Sequence, residues 1–183
     1  DTIVNKLIPS FTRQIITYGF KEFNDYVIRE YKVRGLKTEF SVYHQNEIVS
    51  NIKLNLPGRH NALNALAAFI LSKEEGVSLI NIQSALEKFP GIGRRMELLG
   101  EINLKDTKTL VIDDYGHHPT ELKSTITAIR ESYPERKLIM VFQPHRFSRT
   151  RDLYNEFLSV LKGVDELFLL QIYSAGEKEI KGI

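Results

Sequence analysis

The sequence predicts an α/β protein with a parallel sheet in its second half. After residue 108, apolar runs typical of strands alternate with stretches of helical periodicity, and the links between them are short. Strands joined through helices in this way form parallel sheets with right-handed crossovers. Residues 90–93, Pro-Gly-Ile-Gly, separate this half from a first part in which strands precede helices. We therefore predict a domain boundary there.

The first part begins with strand patterns. These strands are predicted at residues 15–18, 27–33, 39–43 and 48–56. In the last of them, Ile52, Leu54 and Leu56 share one face at a spacing of two, and Pro57 follows as a strand breaker.

Two helices are predicted to follow. The first covers residues 60–75 and ends at Gly76. Its expected apolar stripe is Ala62, Leu63, Leu66, Ala67, Ile70 and Leu71. The second begins after Ser78, a favourable N-cap residue, and directs Ile82, Leu86 and Phe89 inward.

The second part has three predicted strands and two predicted helices. The strands are residues 109–112, 138–142 and 167–170, and the helices are residues 119–132 and 151–162. The strand at 138–142 is almost continuously apolar, so we expect it to be buried on both faces.

Composition excludes several classes of protein. The 183 residues are 42% hydrophobic and 26% charged, as in ordinary globular proteins. A net charge of +2 argues against a nucleic-acid partner. The longest apolar run is too short to cross a membrane, and the absence of cysteine excludes disulfides and thiolate metal sites. A cytoplasmic location is the expectation.

Each strand of the second part is followed by a polar cluster. The clusters are residues 113–118, 143–149 and 173–177. Because ligands of parallel sheets bind beyond the carboxyl ends of the strands, we expect these clusters to converge on one site.

The side chains in these clusters indicate an anionic substrate. Arg146 and Arg149 lie at the start of a helix, and guanidinium groups bind phosphate or carboxylate through two hydrogen bonds. His117 and His145 can exchange protons near neutral pH, and Asp114 can accept from a ribose hydroxyl or orient an amine. A structural alternative for each is a capping or solvent-exposed role. Asp113 can equally stabilise a turn or contact a ligand, and His118 before Pro119 is interpreted as structural.

A second candidate lies in the first part. Asn61 and Asn64 are three residues apart at a helix start, so their amides share a face and can pair with an adenine edge. Alternatively, Asn61 only caps the helix. Arg94 and Arg95 either reach a ligand or face solvent.

These stretches together resemble the Mur ligase family. The matching segments are residues 56–65, 89–97, 113–121, 143–152 and 172–177, in the same order and spacing. Asp-Tyr-Gly-His-His-Pro-Thr-Glu, with Pro-His-Arg-Phe-Ser-Arg-Thr, is most similar to the family members that add L-alanine.

The resemblance implies two partial domains. Residues 1–91 correspond to the C-terminal part of a central ATP-binding domain, and residues 92–183 to a truncated, Rossmann-like C-terminal ligase domain. It also implies that a Gly-Lys-Thr phosphate loop and the Mg²⁺ ligands lie upstream of Asp1, so no metal ligand is expected in this chain. The chain by itself is therefore expected to be inactive.

The resemblance also assigns roles to residues. His60, Asn61, Asn64, Arg95 and Asp114 match nucleotide-binding positions. Tyr115, His117, His145, Arg146 and Arg149 match positions that bind the amino acid and the muramoyl carboxylate, and His117, Arg146 and Arg149 are the expected catalytic residues.

The implied activity is ATP-dependent ligation of L-alanine to UDP-N-acetylmuramate through an acyl phosphate, in peptidoglycan precursor synthesis. The main alternative is a sister ligase that recycles a murein tripeptide. A nucleotide-binding regulatory module without chemistry of its own is a third possibility, and it would not require His117 or the arginine pair.

Overall fold

The computed structural model describes residues 2–104 and 107–182. Asp1 and Ile183, the outer ends of the two predicted domains, lie outside the described residues. The chain divides into two compact units. Unit 1 comprises Asp1–Lys32, Lys37–Asn55 and His60–Phe89; unit 2 comprises Val33–Leu36, Leu56–Arg59 and Pro90–Ile183. The predicted domain boundary after residue 91 stays a prediction.

The first half of the chain combines a four-stranded sheet with helices. Its strands are β1 (Tyr18–Gly19), β2 (Tyr26–Arg34), β3 (Lys37–His44) and β4 (Glu47–Leu54), in that order across the sheet. Its helices are α1 (Thr2–Leu7), α2 (Arg59–Glu74) and α3 (Leu79–Lys88), with a 3₁₀ turn at Ile8–Ser10. β1 is parallel to β2, and β3 is antiparallel to β4.

The core of unit 1 is formed by one sheet face and helix α2. Ile52 and Leu54 are buried, as their spacing predicts, and pack in a cluster with Leu66 and Phe69 of α2. The buried stripe of α2 is Ala62, Ala65, Leu66, Phe69 and Ile70.

Several sequence-based expectations for unit 1 are wrong. Leu71, expected inside, is 67% exposed, because a residue one position after Ile70 lies about 100° around the helix from it. Phe89 is 42% exposed since it follows the end of α3. Ser78 occupies the N-cap position of α3, but its side chain makes no capping hydrogen bond. The expected strand at 15–18 contributes only Tyr18 to β1.

Unit 2 contains four strands and three helices among its described elements. The strands are β5 (Glu97–Leu104), β6 (Thr107–Asp113), β7 (Ile139–Phe142) and β8 (Glu166–Leu169). The helices are α4 (Pro119–Ser132), α5 (Phe147–Asp152) and α6 (Tyr154–Leu161). The α/β class is confirmed, and β7 and β8 pair in parallel as predicted.

The sequence predicts one parallel sheet of three strands, and this prediction is wrong for the first of them, β6. Within the described residues, β6 is hydrogen-bonded to β5 in an antiparallel pair, and β7 and β8 form a separate two-stranded sheet. Strand β5 is absent from the sequence-based prediction because its apolar residues, such as Leu98 and Ile102, are interrupted by Gly100 and by charged residues. The predicted helix at 151–162 is divided into α5 and α6 at Leu153.

The core of unit 2 is built on one face of the β7–β8 sheet. Leu122 of α4, Phe142 of β7 and Phe157 of α6 are buried together. Val141 is 66% exposed, so the expectation that this strand is buried on both faces is wrong in the described structure. In the described part of the chain, every helix is too short or too polar to span a membrane.

Candidate functional site

Asp114, directly after β6, connects three segments near the end of this strand through hydrogen bonds to its carboxylate. Its Oδ2 accepts a hydrogen bond from the Met96 backbone N–H at 3.0 Å. Its Oδ1 accepts from Gly116 N–H at 2.8 Å and from the Thr125 hydroxyl at 3.1 Å. A carboxylate offers about four acceptor positions, so these three bonds leave room for roughly one more donor, such as a ribose hydroxyl.

We predict that Asp114→Asn lowers the free energy of unfolding by about 1–3 kcal/mol. The amide NH₂ would replace an oxygen that accepts from a protein N–H group, so a donor would face a donor. The control is Asp113→Asn, because Asp113 makes an exposed ion pair with Arg94 at 3.3 Å; we expect a change of about 0–1 kcal/mol there. Urea denaturation measures both, and equal effects would contradict the role assigned to Asp114.

The start of α4 orients His117. The Glu121 carboxylate accepts from the backbone N–H groups of His117 at 3.0 Å and His118 at 3.1 Å. His118 caps the helix by accepting from Thr120 N–H, which confirms the structural interpretation of His118. His117 Nδ1 lies 3.0 Å from the Tyr115 carbonyl, to which it can only donate, so a neutral His117 carries its acceptor lone pair on Nε2.

Glu121 remains ionised over a wide pH range. Partial burial raises the pKa of Glu121. The backbone N–H donors of His117 and His118, the electrostatic effect of His117 and the hydrogen bond from the Arg95 side chain outweigh burial and lower this pKa below its usual value. The carboxylate therefore contributes to stability above its ordinary pKa, and the contribution is lost as the pH falls through the lowered value.

The three strand ends converge, as expected, although the three strands do not form one ladder. The ring centroids of Tyr115 and His117 are 5.1 Å apart, those of His117 and His145 5.8 Å, and those of His145 and Tyr173 5.4 Å. Arg149 Nη1 lies 3.5 Å from His145 Nδ1. The first polar cluster therefore contributes two rings, and each of the other two clusters contributes one, to a continuous row of four rings.

Arg146 has an unusual backbone conformation at this position. It is the N-cap residue of α5, with φ 73° and ψ 136°, a combination that non-glycine residues seldom adopt. Its backbone N–H donates to the Tyr173 carbonyl at 2.8 Å, and its side chain is exposed. Strained backbone of this kind is concentrated at functional sites in proteins.

His145 is held in its neutral form. Desolvation lowers the pKa of His145 most, and the positive charges of Arg149, His117 and Arg146 lower it further, against a smaller opposing effect of Glu177. Because the pKa of His145 is lower in the folded state than in the unfolded state, the free energy of unfolding depends on pH. Above the ordinary pKa of histidine, His145 does not reduce this free energy; as the pH falls below that pKa, the free energy of unfolding decreases.

We predict that an NMR titration will give His145 a pKa below the ordinary value of about 6.5. Arg149→Ala should raise it, because a neighbouring positive charge is removed. Arg151→Ala is the control, since Arg151 is paired with Asp152 at 2.8 Å and should leave the titration unchanged. An unchanged His145 pKa in the Arg149 variant would contradict this account.

Two further arginines flank Tyr115. The guanidinium carbons of Arg94 and Arg95 lie 5.1 Å and 5.7 Å from the centre of its ring. Arg95 Nη1 also donates to Glu121 at 3.4 Å. Arg95 is thus directed towards the same cluster as His117, and Arg94 joins it through Tyr115.

The residues of unit 1 that are predicted to bind the nucleotide lie on the first turns of α2. His60 and Asn61 are partly buried and Asn64 is exposed. Their predicted roles rest on the spacing of the two asparagines and on the resemblance.

Sequence reasoning assigned no site role to Glu121, Tyr173 or Glu177. Glu121 follows His118 at the spacing of a capping box, which is a readable signal. Tyr173 and Glu177 belong to the third polar cluster, but their partners His145 and Ser148 are nearly 30 residues away in sequence.

Comparison with known proteins gives a consistent result. Residues 1–72 match the Mur ligase middle domain, and residues 94–181 match the Mur ligase glutamate ligase domain. The chain is 46% identical, over its whole length, to UDP-N-acetylmuramate–L-alanine ligase of Baumannia cicadellinicola subsp. Homalodisca coagulata. It spans 38% of the length of that relative.

Solved structures agree. UDP-N-acetylmuramate-alanine ligase MurC of Thermotoga maritima is similar over 86% of this chain and 34% of its own, with a TM-score of 0.74 and 29% identity. MurF of Acinetobacter baumannii shares the fold over 93% of this chain and 40% of its own, with a TM-score of 0.65 and 20% identity. With two of the family's domains matched in order, and with this likeness in sequence and fold, the chain belongs to the Mur ligase family.

Proposed function

We propose that this chain is part of an enzyme that joins L-alanine to UDP-N-acetylmuramate with cleavage of ATP to ADP and phosphate, in the synthesis of peptidoglycan precursors. The observation that carries the proposal is the cluster in which Arg149, His145 and His117 meet at the ends of β6 and β7. The 46% identity to a ligase of that name supports the choice of substrates.

The arginines supply positive charge where anionic oxygens meet. In the proposed reaction the γ-phosphoryl group of ATP passes to the lactyl carboxylate, and ADP leaves. The amine of alanine then attacks the acyl carbon, and phosphate departs from the tetrahedral intermediate. Arg146 and Arg149 are positioned near neutral His145, so their charge is available to the incoming carboxylate and to charge that develops on the oxygens.

His117 is proposed to position the amine of L-alanine and to accept a proton from it. Its Nδ1–H donates to the Tyr115 carbonyl at 3.0 Å, so the basic lone pair of the neutral ring is on Nε2. An attacking amine must lose a proton, and an imidazole of this tautomer can take it near neutral pH. Tyr115 and His145 line the same site.

ATP and Mg²⁺ are the cofactors that the family implies. In unit 1, Asn61 and Asn64 carry amide groups on the first turns of α2, a group type that can pair with an adenine edge. In unit 2, Arg95 has a partly exposed guanidinium group, and Asp114 retains roughly one acceptor position, so each unit by itself contains groups suited to a nucleotide. Within residues 2–104 and 107–182, no group of three His, Asp or Glu side chains is arranged to hold a metal ion. When bound, the metal ion would neutralise the charge of the phosphates.

The test is an assay of the intact enzyme with UDP-N-acetylmuramate, ATP and a panel of acceptors. We expect phosphate release that depends on L-alanine. A preference for a murein tripeptide would favour the recycling ligase instead. Nucleotide binding without any acceptor-dependent turnover would favour a regulatory module. Because its proposed substrates are cytoplasmic metabolites, we place the enzyme in the cytoplasm.

A further inference from the structure

The segments after β7 and β8 remain paired beyond the ends of the strands. Leu170 N–H donates to the Phe142 carbonyl at 2.9 Å, and Tyr173 N–H donates to the Pro144 carbonyl at 2.9 Å. The next bond runs the other way, from Arg146 N–H to the Tyr173 carbonyl at 2.8 Å. The backbone on the N-terminal side of Arg146 is thereby attached to the chain that follows β8.

A tight turn then brings the second segment back towards α5. Glu177 N–H donates to the Ser174 carbonyl at 3.0 Å, and the two residues between them, Ala175 and Gly176, have φ values of 50° and 85°. Positive φ at both central positions is the geometry of a type I′ turn. The turn places the Glu177 side chain next to the start of α5.

Glu177 attaches the C-terminal side of the Arg146 segment. Its carboxylate accepts from the Ser148 backbone N–H at 3.0 Å and from the Ser148 hydroxyl at 2.6 Å. The hydroxyl bond and then the backbone bond lower the pKa of Glu177, so the side chain is a carboxylate at neutral pH. Residues 146 and 148 are therefore both held by the segment that follows β8.

This pair of attachments accounts for the backbone of Arg146. A residue with φ 73° and ψ 136° keeps that conformation only where its surroundings impose it. If Ser148 were released, the segment could relax to an ordinary conformation. The guanidinium groups of Arg146 and Arg149 would then lose their fixed relation to His145.

We propose that Glu177 is a positioning residue of the ligase site: by binding Ser148, it holds Arg146 and Arg149 in the orientation that the incoming carboxylate substrate requires. This inference rests on the proposed function. Glu177 does not need to touch the substrate. It acts through the start of α5.

The test compares Glu177→Ala and Glu177→Gln in the complete enzyme. We expect Glu177→Ala to lower kcat by about tenfold while the KM for ATP changes by less than about twofold. Glu177→Gln should retain kcat within roughly threefold, because the amide oxygen can accept from Ser148 N–H and the Ser148 hydroxyl can accept from the amide NH₂. Ser148→Ala removes only the hydroxyl bond and should have an intermediate effect.

Asp165→Ala is the matched control. The Asp165 carboxylate accepts from Leu138 N–H at 2.7 Å and from Arg130 at 2.8 Å, so it makes the same kind of attachment at the opposite end of β7 and β8. We expect it to lower stability but to leave kcat within about twofold of the wild type.

Amide hydrogen exchange tests the attachment without any substrate. The Arg146 and Thr150 amides should exchange faster in Glu177→Ala than in the wild type, and Asp165→Ala should leave them unchanged. If the wild-type enzyme has no alanine-dependent activity, the proposed function fails, and the exchange result still decides whether Glu177 holds this segment. Wild-type kcat in Glu177→Ala, or an equal loss in Asp165→Ala or Glu177→Gln, would overturn the positioning role.

Discussion

Replacing Arg146 or Arg149 with alanine in the complete enzyme is expected to lower turnover by at least roughly tenfold, or about 1.4 kcal/mol of activation free energy. Both arginines belong to the segment at the start of α5, where Arg149 Nη1 lies 3.5 Å from His145 Nδ1. Several negatively charged oxygens must approach each other in the proposed reaction, and removing a nearby positive charge raises the energy of that state.

The control for this pair is Arg151→Ala. Arg151 lies on the same helix, but it is paired with Asp152 at 2.8 Å and about half of its side chain is exposed. Steady-state turnover with saturating alanine should be close to that of the wild type in this variant. Near-normal turnover in both Arg146→Ala and Arg149→Ala would remove these arginines from the catalytic site. Arg149→Lys should only partly restore activity, because lysine keeps the charge but not the planar fork.

Phe69→Ala is expected to lower the free energy of unfolding of unit 1 by about 3–5 kcal/mol. The Phe69 side chain is fully buried on α2, in the cluster formed with the sheet residues Ile52 and Leu54. Truncation removes buried apolar surface and leaves a cavity that the surrounding sheet can fill only in part. Urea denaturation, with hydrogen exchange at β3 and β4 amides to identify unit 1, measures the effect.

Leu71→Ala is the matched control on the same helix. Leu71 is 67% exposed, so its truncation should change the free energy of unfolding by no more than about 0.5 kcal/mol. Equal destabilisation by both substitutions would contradict the observed orientation of α2, in which Phe69 is buried and Leu71 is exposed.

Helix α2 shows that hydrophobic periodicity can predict the bounds of a helix without predicting which of its faces is buried. The pattern predicted a helix over 60–75, which the structure confirms within one residue as Arg59–Glu74. The same pattern included Leu71 and left out Phe69, because apolar residues occur around much of this helix and several stripes fit the sequence. Contact with the sheet selects the stripe that contains Phe69, and only the packed structure supplies that contact.

The polar clusters after the strands were predictable for a different reason. A strand pattern followed by His, Arg or Asp can be read locally, and the ends of consecutive strands in α/β proteins tend to converge. The sequence therefore predicted that His117 and His145 would be neighbours, and their rings are 5.8 Å apart. The roles of these residues in catalysis stay predictions.

By itself, the sequence determined the α/β class, the positions of α4, β7 and β8, and the polar clusters that follow the strands, because each depends on residues close together in the chain. Only the tertiary structure decided that β6 pairs with β5, that Val141 is exposed, and that Glu177 binds Ser148. Each of these depends on which distant segment fills the space beside a strand or helix. The neighbouring segment determines which groups are hydrogen-bonded and which side chains are buried, and local sequence patterns do not specify which segment that is.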